Sequence, residues 1–408
     1  MAARPTFVVI GAGHAGGCAL KALRDAGFDG RLVAVGDETY PPYERPPLSK
    51  ELLITDDDPA RTYLHGSHYY EDQEVELRLG VEVERLDASA RRVELAGGGE
   101  IDYDRVLITT GSRVRELDVP GAELPGVTYL RTIDDALAIR AGLHERVPVV
   151  VVGGGYIGLE VAAAARGRGS SVTVLEALDV VMNRVVAPEV GRFFAELHAD
   201  HGVSVVTGVT AARFEGRDRV ERVVAADGRN YPAGLVVVGI GIVPNVELAG
   251  DAGLRVASGV VVDAYGRTSK PDVFAAGDVT NHWNPVLRRR LRLESWQNAQ
   301  NQAIAVAKAM AGGGEPYAEV PWFWSNQYDL NLQMVGVPDS WDRLVYRGDV
   351  GARRFTVFYL KGAVIVGANT VNNARDIRPA RRLIAEAKAV EEKALADEDV
   401  PLKKLLKA

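Results

Sequence analysis

Two short glycine patterns are the residues whose spacing most clearly implies chemistry. Gly11, Gly13 and Gly16 follow the apolar run Phe7 to Ile10, and Gly153, Gly155 and Gly158 follow Val149 to Val152. Each is Gly-x-Gly-x-x-Gly, and each leads into a helical stretch, about Ala15 to Ala26 closed by Gly27 and about Ile157 to Gly167. In such a loop the first glycine turns tightly and the second lets a pyrophosphate touch the backbone. The third lets the helix pack close, and the helix N-terminus faces the phosphate charge. A second strand follows each loop, Leu32 to Val35 and Val172 to Leu175, and ends near an acid able to accept hydrogen bonds from a ribose. The acids are Asp37, 26 residues after the first glycine, and Glu176, 23 residues after its own. One such loop is a weak signal. Two complete copies offset by 142 residues, a period too long for a solenoid, read as two nucleotide-binding domains in one chain. Glu176 lies where a 2′-phosphate would sit and no arginine follows it directly, so the second site reads as preferring NADH.

The elements around these loops predict an α/β fold with two Rossmann-like dinucleotide-binding domains and an α+β C-terminal domain. Leu107 to Ser112 ends a strand in small residues, and Val260 to Asp278 reads as strand, turn and short strand. A helix of about Asn298 to Met310 stops at Gly312 to Gly314. Beyond residue 318 the composition shifts to tryptophans, the alternating strands Phe355 to Leu360 and Val364 to Ala368, and a charged terminal helix. A length of 408 residues fits two to three domains. The 43 glycines are spread along the chain rather than gathered in one block, as expected of positions where something approaches the backbone. No apolar run reaches the roughly 18 to 20 residues of a membrane helix, and the run Phe7 to Ile10 reads as a strand and not as a signal peptide. The single cysteine, Cys18, excludes an internal disulfide, a Cys-x-x-Cys redox pair and a cysteine-held cluster, and fits a reducing cytoplasm. A net charge of −7 argues against nucleic-acid binding as the main role.

Several segments in order along nearly the whole chain carry a resemblance. They are Gly11 to Gly16, Tyr43 to Lys50, Thr109 to Ser112, Gly153 to Glu160, Val238 to Gly241, Thr268 to Asp278, Trp296 to Gln302 and Pro321 to Ser325. Together they resemble the NADH-dependent flavoprotein ferredoxin reductases that serve bacterial aromatic-ring dioxygenases and haem monooxygenases. The resemblance implies a glutathione-reductase type of fold, with an FAD-binding domain (1–112 and 245–317) split by an NADH-binding domain (113–244), then a C-terminal interface domain (318–408). It implies FAD contacts from Ala15, Asp37, Lys50, Val83, Arg131, Asp278 and Trp296, with Gly11, Gly13, Gly16, Thr110, Gly111, Gly277 and Trp324 in the same set. Asp278 matches the acid that holds the ribityl chain, or its water, next to the pyrophosphate. For NADH it implies Gly153, Gly155, Tyr156, Ile157, Gly158, Glu160, Glu176, Arg184 and Gly241. Lys50 and Glu160 match the catalytic pair near flavin N5, where a cation stabilises negative charge as hydride adds.

The partner implied is a small acidic [2Fe–2S] ferredoxin, bound transiently and electrostatically, with no nucleic acid or membrane; monomer and dimer stay open. The run Arg288, Arg289, Arg290 and Arg292 is either a solvated loop or a basic rim that steers this ferredoxin. Disulfide-type relatives carry a redox cysteine facing the flavin, peroxidase-like ones in the region matching Tyr43 to Lys50. None is present here, and Cys18 reads as a small core residue. The pairs His65/His68 and His198/His201 lack the further ligands that zinc needs, so no metal is expected. Trp322, Phe323 and Trp324 read as packing more than as an electron wire. Two rival functions are a flavin- and NADH-binding signalling protein resembling apoptosis-inducing factor and an NADH oxidase using oxygen directly.

Overall fold

A computed structural model describes residues 4–66 and 68–406. Its contacts divide the chain into two compact units. The first gathers the chain up to Glu44, Thr62–Arg113 and Pro244–Phe323; the second gathers Arg45–Arg61, Val114–Val243 and everything from Trp324 onward.

The first unit is built on a five-stranded sheet, ordered Val273–Ala275, Arg105–Ile108, Thr6–Ile10, Arg31–Gly36 and Val75–Leu79, with every neighbour parallel. The inner strands are apolar at nearly every position because both faces are covered, whereas the edge strand Val75–Leu79 alternates Glu76 and Arg78 with apolar residues. Phe7 and Val9 join Leu20, Leu23, Val306 and Met310 from the helices His14–Asp25 and Trp296–Met310. Val8 and Ile10, on the opposite face, meet Leu86, Val93 and Ile101 from the antiparallel meander Val83–Asp87, Arg92–Leu95 and Glu100–Asp102. That alternation is the two-residue period of a strand.

The second unit repeats the scheme. Its parallel sheet runs Ser204–Val206, Ser171–Leu175, Pro148–Val152, Leu235–Val238 and Val127–Tyr129. Helix Tyr156–Gly167 follows the second glycine loop. A second, antiparallel sheet is ordered Trp322–Gln327, Leu330–Gly336, Val364–Val371, Arg354–Lys361 and Arg343–Asp349. Its Phe355, Val357 and Leu360 are buried, and the Phe355 ring packs edge-on against Phe193 of the helix Pro188–Asp200.

One expected element differs. The charged terminal helix is three short ones, Ile377–Glu386, Glu392–Ala396 and Leu402–Leu405. Ala387 adopts the left-handed conformation at φ 48° and closes the first. Buried Arg347 then donates to the carbonyls of Leu395, Asp397, Glu398 and Val400, carbonyls that a continuous helix would have used itself.

Candidate functional site

The first glycine loop is held by sterics and by one threonine. Gly11 sits at φ 103°, and a Cβ there would lie 2.4 Å from the Thr109 carbonyl oxygen. A Cβ on Gly16 would lie 2.1 Å from the Gly11 oxygen, so the helix packs closer than any side chain permits. The Thr109 hydroxyl donates to the carbonyls of Ile10 at 3.0 Å and Gly11 at 2.8 Å. Helix His14–Asp25 then starts at Gly13 with no side-chain cap and no acid in its first turn. Two other helices do carry side-chain caps, Ile133–Gly142 a Thr132/Asp135 capping box and Trp296–Met310 Ser295. An uncapped, acid-free N-terminus over glycines has the donor set of an anion cradle.

The candidate FAD residues of this unit mostly gather around that cradle. Ala15 is buried in the first helical turn, and Gly277, at φ 83°, would place a Cβ 3.0 Å from the Ala15 Cβ. Gly277 is fixed by Gln302, whose side-chain oxygen accepts from its N–H at 2.8 Å, and half-buried Asp278 follows it. Trp296 Nε1 donates to Glu44 at 3.3 Å and its ring lies 5.3 Å from that of His14. Exposed Asp37 follows Gly36 at the end of its strand. Thr110 exchanges two 2.9 Å hydrogen bonds with Asn245, and Gly111 turns at φ 61°. Val83 begins the meander and packs on the core beneath the sheet.

In the second unit the loop geometry recurs. A Cβ on Gly153 would lie 2.3 Å from the Gly239 oxygen and one on Gly158 2.1 Å from the Gly153 oxygen, whereas Gly155 has nothing within 4 Å. Helix Tyr156–Gly167 again lacks a side-chain cap and a first-turn acid, with Ile157 exposed beside the opening. Glu176 is held by two backbone amides, Gly154 N–H at 2.6 Å and Leu178 N–H at 2.9 Å. The Arg184 guanidinium reaches to 3.7 Å from the place a Gly241 Cβ would take. Arg131, also in this unit, donates its N–H to Asp135 at 2.9 Å, and its carbonyl accepts from Arg45.

Lys50 and Glu160 meet in the same unit. Lys50 Nζ donates to Glu160 Oε2 at 2.7 Å, with side-chain exposures of 11% and 1%. Ser49 Oγ donates to the same oxygen at 2.5 Å and Ser325 Oγ to Oε1 at 2.6 Å. Burial pushes the Glu160 carboxyl upward, while Lys50, Ser325 and Ser49 pull the other way. Three donors on two oxygens are the geometry of a carboxylate, so the ionised form is the one this packing fits. The short helix Glu51–Ile54 behind Lys50 is stapled by Arg140, which donates to the carbonyls of Leu52, Thr55 and Asp57, and by Arg168, which holds Leu53, Thr55 and the Asp56 carboxylate.

Ser49, Ser325, Arg140 and Arg168 are the functional neighbours that the sequence reading gave no role. A serine or arginine beside a motif carries no periodic signal; only folding shows what it touches. Trp324 lies half-buried in the strand Trp322–Gln327. The basic run is partly a strand: Arg289–Leu291 pairs antiparallel with Thr280–Asn284, while Arg288 lies in the turn before it and Arg292 just beyond it. Arg290 ties the carbonyls of Val262 and Asn281, Arg292 pairs with Glu294, and Arg288 is exposed. Burial raises the Cys18 thiol to about 12, the signature of an inert core residue. No group of metal-ligating side chains occurs among the described residues, and none of their helices is long and apolar enough to cross a membrane.

The residues present thus fit two dinucleotides. Comparison with known proteins agrees. The pyridine nucleotide-disulphide oxidoreductase family matches residues 5–303 and the reductase C-terminal family matches 322–406. The chain is 43% identical, over the full length of both, to the ferredoxin–NAD(+) reductase component of the anthranilate 1,2-dioxygenase system of Burkholderia cepacia. It is 41% identical to rhodocoxin reductase of Rhodococcus erythropolis, covering 98% of this chain and 93% of that one. Among solved structures it superposes on a covalent putidaredoxin reductase–putidaredoxin complex with a TM-score of 0.96, 37% identity and 99% of both chains covered. The chain belongs to the pyridine nucleotide-disulphide oxidoreductase family.

Proposed function

We propose that this protein is an FAD-containing NADH:ferredoxin oxidoreductase that supplies electrons to an oxygenase. One observation carries the reading: a chain whose only cysteine is an inert core residue keeps both dinucleotide cradles and the buried Lys50–Glu160 pair. Two relatives matched over nearly their whole length are named as ferredoxin–NAD(+) reductase components of dioxygenase systems. When bound, FAD accepts two electrons as hydride from NADH and releases them singly, as a one-electron [2Fe–2S] partner requires.

The protein's part is binding, orientation and charge. Gly11, Gly13, Gly16 and the amides of the first helix turn cradle the FAD pyrophosphate, with Ala15, Thr110, Gly111, Gly277, Asp278 and Trp296 around it and Asp37 for the adenosine ribose. Gly153, Gly155, Gly158 and the amides of Tyr156 and Ile157 cradle the NADH pyrophosphate, Glu176 accepts from its ribose and Arg184 faces its phosphates. Lys50 supplies a fixed positive charge, and Glu160 holds Lys50 and orients the carboxamide. Val83, Arg131 and Trp324 complete the FAD contacts. The domain division is 1–112 with 245–317 for FAD, 113–244 for NADH and 318–408 as interface domain. The ferredoxin docks transiently, and the cytoplasm is the working compartment.

The test is anaerobic mixing of the purified yellow protein with NADH, then with candidate [2Fe–2S] ferredoxins. The expected result is rapid bleaching followed by two ferredoxins reduced per NADH. Bleaching that oxygen reverses as fast as any ferredoxin would overturn the reading in favour of an oxidase.

A further inference from the structure

Behind Glu160, four polar side chains of the second unit stand in single file. Ser325 Oγ lies 2.6 Å from Glu160 Oε1, and Gln327 Nε2 lies 3.1 Å from Ser325 Oγ. His198 Nε2 lies 2.9 Å from Gln327 Oε1, and the Tyr328 hydroxyl 3.2 Å from His198 Nδ1. Ser325, Gln327 and His198 are buried, and Tyr328, stacked on His201 at 3.7 Å, brings the file toward the surface.

The direction of every bond follows from counting protons. A carboxylate only accepts, so Ser325 must give its one proton to Glu160. The serine oxygen then accepts, which turns the Gln327 amide nitrogen toward it and the amide oxygen toward His198. His198 must therefore carry its proton on Nε2. Burial lowers the His198 pKa to about 4, which leaves the ring neutral and Nδ1 a lone pair. Burial also raises the Tyr328 hydroxyl to about 12, so that it keeps its proton and donates. All four donors point toward Glu160. An amide in the chain cannot hand a proton on, so the file orients and does not conduct. Tyr328 holds φ 54°, an unfavourable angle for an aromatic residue, in the two-residue turn that aims its hydroxyl at His198.

We propose that Ser325, Gln327 and His198 are positioning residues for hydride transfer: their one-way file of donors fixes the Glu160 carboxylate, and through it the direction of the Lys50 side chain. The proposal rests on the function above, and the experiment separates the two. It uses the FAD-loaded full-length protein, mixed anaerobically with a series of NADH concentrations to give a limiting rate of flavin reduction and an apparent dissociation constant. Ser325→Ala removes a hydrogen bond to a charged group and should lower the limiting rate about tenfold at an unchanged dissociation constant. Ser325→Thr should restore it to within about twofold, because the hydroxyl returns. Gln327→Leu should cost about fivefold and Tyr328→Phe about twofold, a loss that fades along the file. A packing defect would not fade in this way, since Gln327 is as buried as Ser325.

Wild-type reduction by Ser325→Ala overturns the proposal, as does a loss that threonine does not restore or one confined to the dissociation constant. If Ser325→Ala loses its FAD, Gln327→Leu and Tyr328→Phe decide the matter, and wild-type limiting rates in both overturn it. A wild-type protein that NADH fails to reduce would overturn the function and this inference with it. Rapid wild-type reduction beside an indifferent Ser325→Ala would overturn the inference alone.

Discussion

Glu176 is the side chain proposed to choose between NADH and NADPH. Two backbone amides hold its carboxylate at the end of a parallel strand, and those two bonds leave lone pairs for a ribose hydroxyl pair. A 2′-phosphate in the same place would meet like charge. Glu176→Arg should therefore narrow or reverse the NADH preference in kcat/KM, and unchanged discrimination would mean that the carboxylate faces no ribose. The role proposed for Lys50 rests on charge and not on shape. One preorganised charge at a developing anion is worth about 3 kcal/mol, roughly a hundredfold in rate. Lys50→Met should slow flavin reduction by that order in a single-turnover mixing experiment while FAD stays bound. The substitution also strands buried Glu160, and breaking a buried pair costs about 3 to 5 kcal/mol of stability. The double variant Lys50→Met with Glu160→Gln should recover the melting temperature without recovering the rate. A wild-type rate in Lys50→Met would make this lysine structural.

At the scale of elements, both cradles are strand, glycine turn and uncapped helix, and the glycines are needed for two different reasons. Gly11 and Gly153 turn where φ is positive, while Gly16 and Gly158 let helix and loop touch. Gly13 stands at the N-terminus of the first helix, where the phosphate would lie against bare backbone. Gly13→Val should yield mostly colourless apoprotein, read as the flavin-to-protein absorbance ratio, and full flavin content would sink the role given to that loop. This part of the molecule was legible in the sequence because backbone approach needs glycine, and glycine spacing survives without any alignment. The buried, all-apolar strands were legible for a similar reason. The surroundings of Lys50 and Glu160 were not. Ser49, Arg140, Arg168 and the strand pair Ser325 and Gln327 come from four separate segments, and only tertiary contact brings them together. The terminal helix was misjudged because its charge pattern hides the carbonyls that Arg347 takes from it.

For the whole molecule, the expectation of an acidic ferredoxin poses a physical problem, because this protein is acidic too. The chain carries a net charge of −7, so attraction to a small acidic ferredoxin must be local, from a patch within about a Debye length of 8 to 10 Å, and must weaken as salt rises. The hairpin Thr280–Asn284 with Arg289–Leu291 is the candidate, but its arginines are not equivalent. Arg290 braces the backbone of two strands and Arg292 is engaged by Glu294, so replacing either risks the hairpin itself. Arg288 is exposed in the turn before the basic strand, and Trp283, 41% exposed on the facing strand opposite Arg290, offers an apolar contact on the same hairpin. A rim charge mostly alters the association rate. Arg288→Glu should therefore slow ferredoxin reduction several-fold at low ionic strength, with the deficit vanishing as salt is raised. NADH-to-ferricyanide activity, which needs no docking, should stay at the wild-type level. Equal loss in both assays would place the damage at the flavin, and no loss in either would move the docking surface away from this hairpin.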